Sequence, residues 1–377
     1  DGSRSFDKFK TSLTDPTPAE LVYVIAWLWT DTADGKLKVT LQNAINAGDP
    51  LRTYEVALTY GGAVYKQRLL LRVPGRKGLY PLLQWQSEGD ESRFDRTRRV
   101  IRDYHLDWYW DPGALLLKDP PLNKNFDANC TACHSTGFER YFDGGTGEWL
   151  TRAVDDNNGA FDIDDDPALD DINLGCEVCH GPGSEHAPWA GNPANEDKGR
   201  YIVTPQNLSP SREMMICGRC HDRQKGNGSL VNDEPLNSSW EMPPPGISRP
   251  DFLAQHTSRK GPALSNYWSD GLHSKSHHQQ YSDLLKSRKH RNDRVLTVCT
   301  DCHDTHGFAP FRHHLTADPD DATSLLCRNC HIIEDLLGHM LDNTGAIHFG
   351  SYMRCVDCHV AQVAKTGAGD YGFLIAP

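Results

Sequence analysis

The chain has 377 residues, with 51 acidic against 39 basic side chains and a formal net charge of −12. So acidic a balance repels phosphate backbones and anionic lipid surfaces, which excludes nucleic-acid binding as a main role and favours cationic partners, metal ions or mineral surfaces. The longest apolar run, from Leu21 to Trp29, is far below the roughly 20 residues that cross a bilayer, so no membrane span is expected.

Residues 1–125 contain no cysteine and a single histidine, His105. Runs rich in Val, Leu, Tyr and Trp predict strands at 21–29, 37–41, 53–60, 65–73 and 79–85. Turn residues separate them: Asp34-Gly35, Gly48-Asp49-Pro50, Gly61-Gly62 and Pro74-Gly75. The third and fourth runs flank Gly61-Gly62 and read as a hairpin. The expected fold class is α+β with low regular secondary structure. An antiparallel β domain at 1–125 precedes a domain at 126–377 built from short helices and loops.

The second part holds all 12 cysteines, and none is left over. They form six Cys-x-x-Cys-His motifs: Cys130, Cys133 and His134; Cys176, Cys179 and His180; Cys217, Cys220 and His221; Cys299, Cys302 and His303; Cys327, Cys330 and His331; Cys355, Cys358 and His359. Two residues between the thiols let both sulfurs face the former vinyl groups of one porphyrin. The adjacent histidine then aims its imidazole at the iron. Six covalent c-type haems are expected, with the six motif histidines as proximal ligands. Zinc would need motifs paired into sets of four ligands and leaves the histidine in each motif unexplained. A thioredoxin-type site expects one motif beside a βαβ unit, and a disulfide framework has no use for a histidine after every second cysteine.

Successive motifs begin 46, 41, 82, 28 and 28 residues apart. The first gap carries an acidic cluster, Asp155 to Asp171. Oxygen ligands there suit calcium, but the pattern is not an EF-hand, and a solvated acidic loop is the favoured reading. The long third gap holds a Pro-rich bend from Met242 to Pro250 and a predicted helix over 277–290. Twelve histidines lie outside the motifs for six vacant sixth iron positions. His186, His278, His290, His306 and His348 rank first as distal ligands and His339 next, with His105 and His273 after it. His256, His313 and His314 stay open. His306 follows the fourth proximal histidine too closely to reach the same iron's far side, so it should serve a neighbouring haem. The five methionines sit mostly in apolar contexts that suit core packing.

The segments 129–137, 175–186 and 299–307 resemble exported multihaem c-type cytochromes of the cytochrome c-554, hydroxylamine oxidoreductase and pentahaem nitrite reductase group. The resemblance covers roughly residues 50–365. It implies close-packed haems with mostly bis-histidine ligation and supports His186, His278, His290 and His306 as distal ligands. Haem count and architecture are also similar to hexahaem subunits of extracellular cytochrome filaments. The leading expectation is an exported electron conduit, extracellular or at the cell surface, with the periplasm as the alternative. Its partners would be other redox proteins, extracellular acceptors and, in a head-to-tail filament, further copies of itself. A monomeric shuttle and a multihaem reductase of nitrite, hydroxylamine or a sulfur oxyanion are the competing readings. No catalytic residue is expected under the leading one. For the haem-free β domain, docking to the next subunit and a structural cap over the haems stand level.

Overall fold

The computed structural model describes residues 4–7, 23–61, 66–87, 99–102, 104–151, 174–230, 232–259, 261–276, 278–306, 311, 314–319, 325–332, 355, 362–364 and 371–373. An antiparallel sheet of seven strands dominates the first part: β1 (Arg4–Asp7), β2 (Val24–Thr30), β3 (Leu37–Asn43), β4 (Arg52–Tyr60), β5 (Lys66–Arg72), β6 (Leu79–Ser87) and β7 (Arg99–Arg102). The strands lie side by side in chain order. The five expected runs appear as β2 to β6, and β4 pairs with β5 as the hairpin expected around Gly61. β1 and β7 are additions that apolar patterning did not signal.

Alternation of side chains sets the packing. In β2, Val24, Ala26 and Leu28 are buried while their neighbours are half-exposed, the period-2 signature of a sheet with one covered face. These residues join Val39, Leu41, Tyr54, Leu69, Leu71, Tyr80 and Leu82 in the main core, which is closed by Leu106, Tyr109, Trp110 and Leu117. Trp110–Asp111 (β8) and Leu116–Leu117 (β9) form a small hairpin of their own. A smaller apolar cluster joins Leu58, Tyr60, Leu70 and Leu79 to Phe126 and to the edge of Cys130, so the sheet extends into the cysteine-bearing part of the chain.

Beyond residue 125 the elements are short. They are α1 (Phe126–Asn129), α2 (Thr131–His134), the β10–β11 hairpin (Arg140–Asp143 and Glu148–Thr151), α3 (Cys176–His180), α4 (His186–Gly191), α5 (Pro210–Gly218), α6 (Arg249–Gln255), α7 (Gln280–Lys286) and α8 (Leu325–Arg328). A final hairpin pairs Gln362–Ala364 (β12) with Tyr371–Phe373 (β13). The helix expected over 277–290 is only its central two turns, α7. The Pro-rich bend delivers a helix rather than merely a turn: Ser248 caps α6 by accepting from the Asp251 amide, and Pro250 occupies the first turn, where its missing N–H costs nothing. Met214 and Met215 of α5 are buried against Phe252, Tyr281, Leu284 and Val298, the packing role expected of them. Among the described residues no helix is long and apolar enough to cross a membrane.

Candidate multihaem site

The first motif is built onto the sheet. Asn125 caps α1 by accepting from the Ala128 amide, and its own amide donates to the Trp149 carbonyl at 2.8 Å. Phe126 packs at a tilt with its ring centre 4.7 Å from that of Tyr60 of β4, and Tyr60 meets the His134 ring edge-on at 5.3 Å. Burial pushes the Cys130 thiol up to about 12. Burial, then the nearby Arg68 and His221, pushes His134 down to about 4, so its imidazole is neutral and able to ligate a metal. A buried ion pair closes the far side: Arg140 donates to Glu234 at 2.9 Å and also to the Ala128 carbonyl.

Each further motif described forms one tight turn. The amides of His221, His303 and His331 donate to the carbonyls of Cys217, Cys299 and Cys327 at 2.8, 3.0 and 3.0 Å. In motif 2 the whole pentapeptide is α3. Residues three and four apart share a face in such a turn, so both thiols and the imidazole are presented together. Of motif 6 only Cys355 is among the described residues; Cys358 and His359 lie outside them.

The motifs meet one another through their sulfurs. Cys133 and Cys220, Cys217 and Cys299, and Cys327 and Cys355 lie close enough to act on one another's thiols. Cys302 lies close enough to Cys327 and Cys330 to act on them electrostatically, as Cys179 does with Cys217 and Cys220. The imidazoles follow the same order, His134 sensing His221 and His221 sensing His303. Spatial order therefore runs through motifs 1, 3, 4, 5 and 6, with motif 2 beside motif 3. The flanks of motifs 1 and 2 also touch, the Gly175 amide donating to Thr136 at 2.7 Å. Among the described residues no three His, Cys, Asp or Glu side chains converge as a metal cage.

The histidines divide by their hydrogen bonds. His180 and His306 face each other with ring centres 6.3 Å apart and planes 17° from parallel. Metal–imidazole bonds run about 2 Å and a ring centre lies about 1 Å behind its nitrogen, so two imidazoles on opposite sides of one iron stand roughly 6 Å apart. His180 Nδ1 pairs with the Val203 carbonyl at 2.8 Å and His186 Nδ1 with the Arg200 carbonyl at 3.0 Å. A bond of this kind fixes the tautomer and leaves Nε2 for a metal. His290 carries a buried Nδ1 without a partner, and the adjacent Lys289 lies near Cys302 and Cys327. His278 adopts a left-handed backbone (φ 60°) just before α7, whose Tyr281 amide donates to the His221 carbonyl. His273 is paired with Asp270, and His105 stacks on Trp108 with ring centres 3.5 Å apart. His256 is buried in protein, bonded to the backbone of Pro235 and Glu241. The His314 carbonyl accepts from the Asp304 amide. His277, His313, His339 and His348 and the acidic cluster Asp155 to Asp171 lie outside the described residues.

Several residues of this site escape a reading by motif. Tyr60, Arg68, Asp127, Arg140 and Glu234 come from five separate stretches of chain and surround motif 1. Arg219 fills the second free position of motif 3, and that placement was the one available signal.

No protein-family model matches the chain. It is 26% identical over 185 residues to multihaem cytochrome MtrA of Shewanella baltica (strain OS185), covering 48% of this chain and 46% of that protein. Among solved structures, an undecahaem cytochrome from the S-layer of Carboxydothermus ferrireducens is similar over 81% of this chain and 45% of its own, with a TM-score of 0.30 and 15% identity, which carries no argument about function. The chain spans about half the length of these relatives. Joined to the Cys-x-x-Cys-His motifs, the sequence match supports a multihaem cytochrome.

Proposed function

We propose that the chain is an electron conduit of six covalent c-type haems with histidines on both faces of most irons. The observation that carries this reading is the proximity of thiols from different motifs. Each sulfur would be bonded directly to a porphyrin edge, so neighbouring thiols would bring the edges of their porphyrins close together. Bound haem supplies one-electron storage at each iron. The chain's residues would set the order of transfer, 1–3–4–5–6 with haem 2 beside haem 3. They would also hold most irons in one coordination state by filling the sixth position, which works against the open site a reductase needs.

The six proximal ligands are His134, His180, His221, His303, His331 and His359. His306 is the distal partner of His180, a role that the 6.3 Å separation supports. The Nδ1 bond of His186 and the unpaired Nδ1 of His290 favour these two next. His278, His339 and His348 complete the proposed distal set on sequence grounds. The haem-bearing part begins near residue 126, and the sheet before it serves as cap or docking face. The setting proposed is exported and extracellular, with assembly into a head-to-tail filament. That assembly rests on the acidic charge and on a surplus of histidines that lets one distal ligand be lent to a neighbouring copy.

The test is spectroscopic. A pyridine haemochrome assay with intact mass should give six haems per chain, and electron paramagnetic resonance of the oxidised protein should show low-spin signals. His306→Ala should turn one haem of the six high-spin. Four haems or fewer, or bound zinc, would sink the proposal. A strong high-spin signal in the unaltered protein that responds to nitrite or hydroxylamine would favour the reductase instead.

A further inference from the structure

Arg219 stands apart from the charged residues at the free positions of the other described motifs. Glu177, Asp301 and Arg328 are exposed, whereas Arg219 is 6% exposed. Its guanidinium donates to the Val178 carbonyl inside motif 2 and to the Pro243 carbonyl in the Pro-rich bend. Nε is buried without a partner. No carboxylate among the described residues forms an ion pair with it. The cation lies near three thiols, Cys179 of motif 2 and Cys217 and Cys220 of motif 3. Burying a charge on carbonyl dipoles alone costs free energy that an apolar side chain of similar length would avoid. Packing alone gives no reason for a guanidinium here.

We infer that Arg219 is a positioning residue for electron transfer, its buried positive charge raising the reduction potentials of the haems on motifs 2 and 3 above what their ligands alone would set. This deepens the conduit reading and rests on it. A fixed cation in a low-dielectric surrounding stabilises the iron that has gained an electron, which has one positive charge fewer. The two haems beside Arg219 would then fill first as electrons enter. Because motif 3 adjoins motifs 1, 2 and 4, electrons would collect at the point where the route divides. The bond to Val178 has a second effect, since it ties the backbone of motif 2 to motif 3 and fixes the spacing over which that charge acts.

The experiment compares Arg219→Gln and Arg219→Lys in the holo protein. Haem content is measured first, then reduction potentials by spectroelectrochemical titration. Gln retains an amide donor for the Val178 carbonyl and loses the charge; Lys keeps the charge. The expected result is six haems in both variants, with two of the six potentials lowered in the Gln variant and all near their original values in the Lys variant. An unchanged titration curve for Gln overturns the inference. So does an equal fall for Lys, which would assign the effect to packing. A Gln variant that no longer carries six haems also overturns it, because the residue would then be needed for folding rather than for potential. Failure of the conduit reading itself shows separately, as a low haem count in the unaltered protein.

Discussion

Asp127 is a carboxylate whose environment moves it far from its ordinary chemistry. Its side chain is buried in α1, one oxygen accepting from the Thr151 amide and hydroxyl and the other without a partner. Burial pushes the carboxyl up to about 7 from 3.8. The folded chain therefore holds a proton at pH values where the unfolded chain has lost it. Between about pH 4 and pH 7 the native state binds more protons, so stability falls as pH rises through that window and levels off above it. Three pKa units correspond to on the order of 4 kcal/mol. Asp127→Asn keeps the acceptor for Thr151 and removes the titration. Thermal unfolding followed by circular dichroism should show the variant equal to the parent near pH 4, more stable at pH 8, and flatter in between. A parallel pH dependence in the two proteins would contradict this account. The carboxyl's position in sequence, three residues before a cysteine, gave no hint of burial. Only the return of Thr151 from β11 encloses it.

At the scale of elements, the seam between the sheet and the first motif is the most consequential contact. Glu148 of β11 is buried there, accepting from the Tyr80 hydroxyl at 2.6 Å and the Lys77 amide at 2.9 Å. Phe126 fills the gap between Tyr60, Leu58, Leu70 and Leu79. Phe126→Ala should cost about 3–5 kcal/mol of stability and perturb the spectrum of one haem, through loss of the wall behind His134. Leu264→Ala, at a side chain 86% exposed, should leave both within error. Denaturant unfolding and absorption spectra of the two variants decide the matter. How much of this was legible varies by element. Strands β2 to β6 were readable because one buried face imposes period-2 alternation and glycine turns punctuate it. β1 and β7 were not, since Arg4–Asp7 and Arg99–Arg102 carry little apolar pattern and gain their place from the neighbour they pair with. The motif turns were fully legible from spacing. For His306 the sequence required a neighbouring haem and could not say which; the 6.3 Å approach of its ring to His180 is what proposes one.

For the whole molecule, the proposed filament makes a direct demand. A subunit interface able to hold a chain of copies should bury well over roughly 1,000 Å² and should not close on itself. Cryo-electron microscopy of shear-fractionated culture material should show filaments with haems continuous from copy to copy. Recovery only as a soluble monomer under native conditions would replace the filament with a shuttle. The order of strands has a separate consequence, for how the chain is made. Every strand of the large sheet pairs with its neighbour in sequence, so its pairings are local and its contact order low, the condition for rapid folding. The seat of the first motif is completed by Glu234 and Asn232, which lie 94 and 103 positions beyond their partners Arg140 and Asn129. As the chain emerges from its N-terminal side, the sheet closes while the first pair of thiols still waits for its cover. Under the proposed function, that interval is when a porphyrin would be delivered to them, and covalent attachment at the first motif would come before the last act of folding.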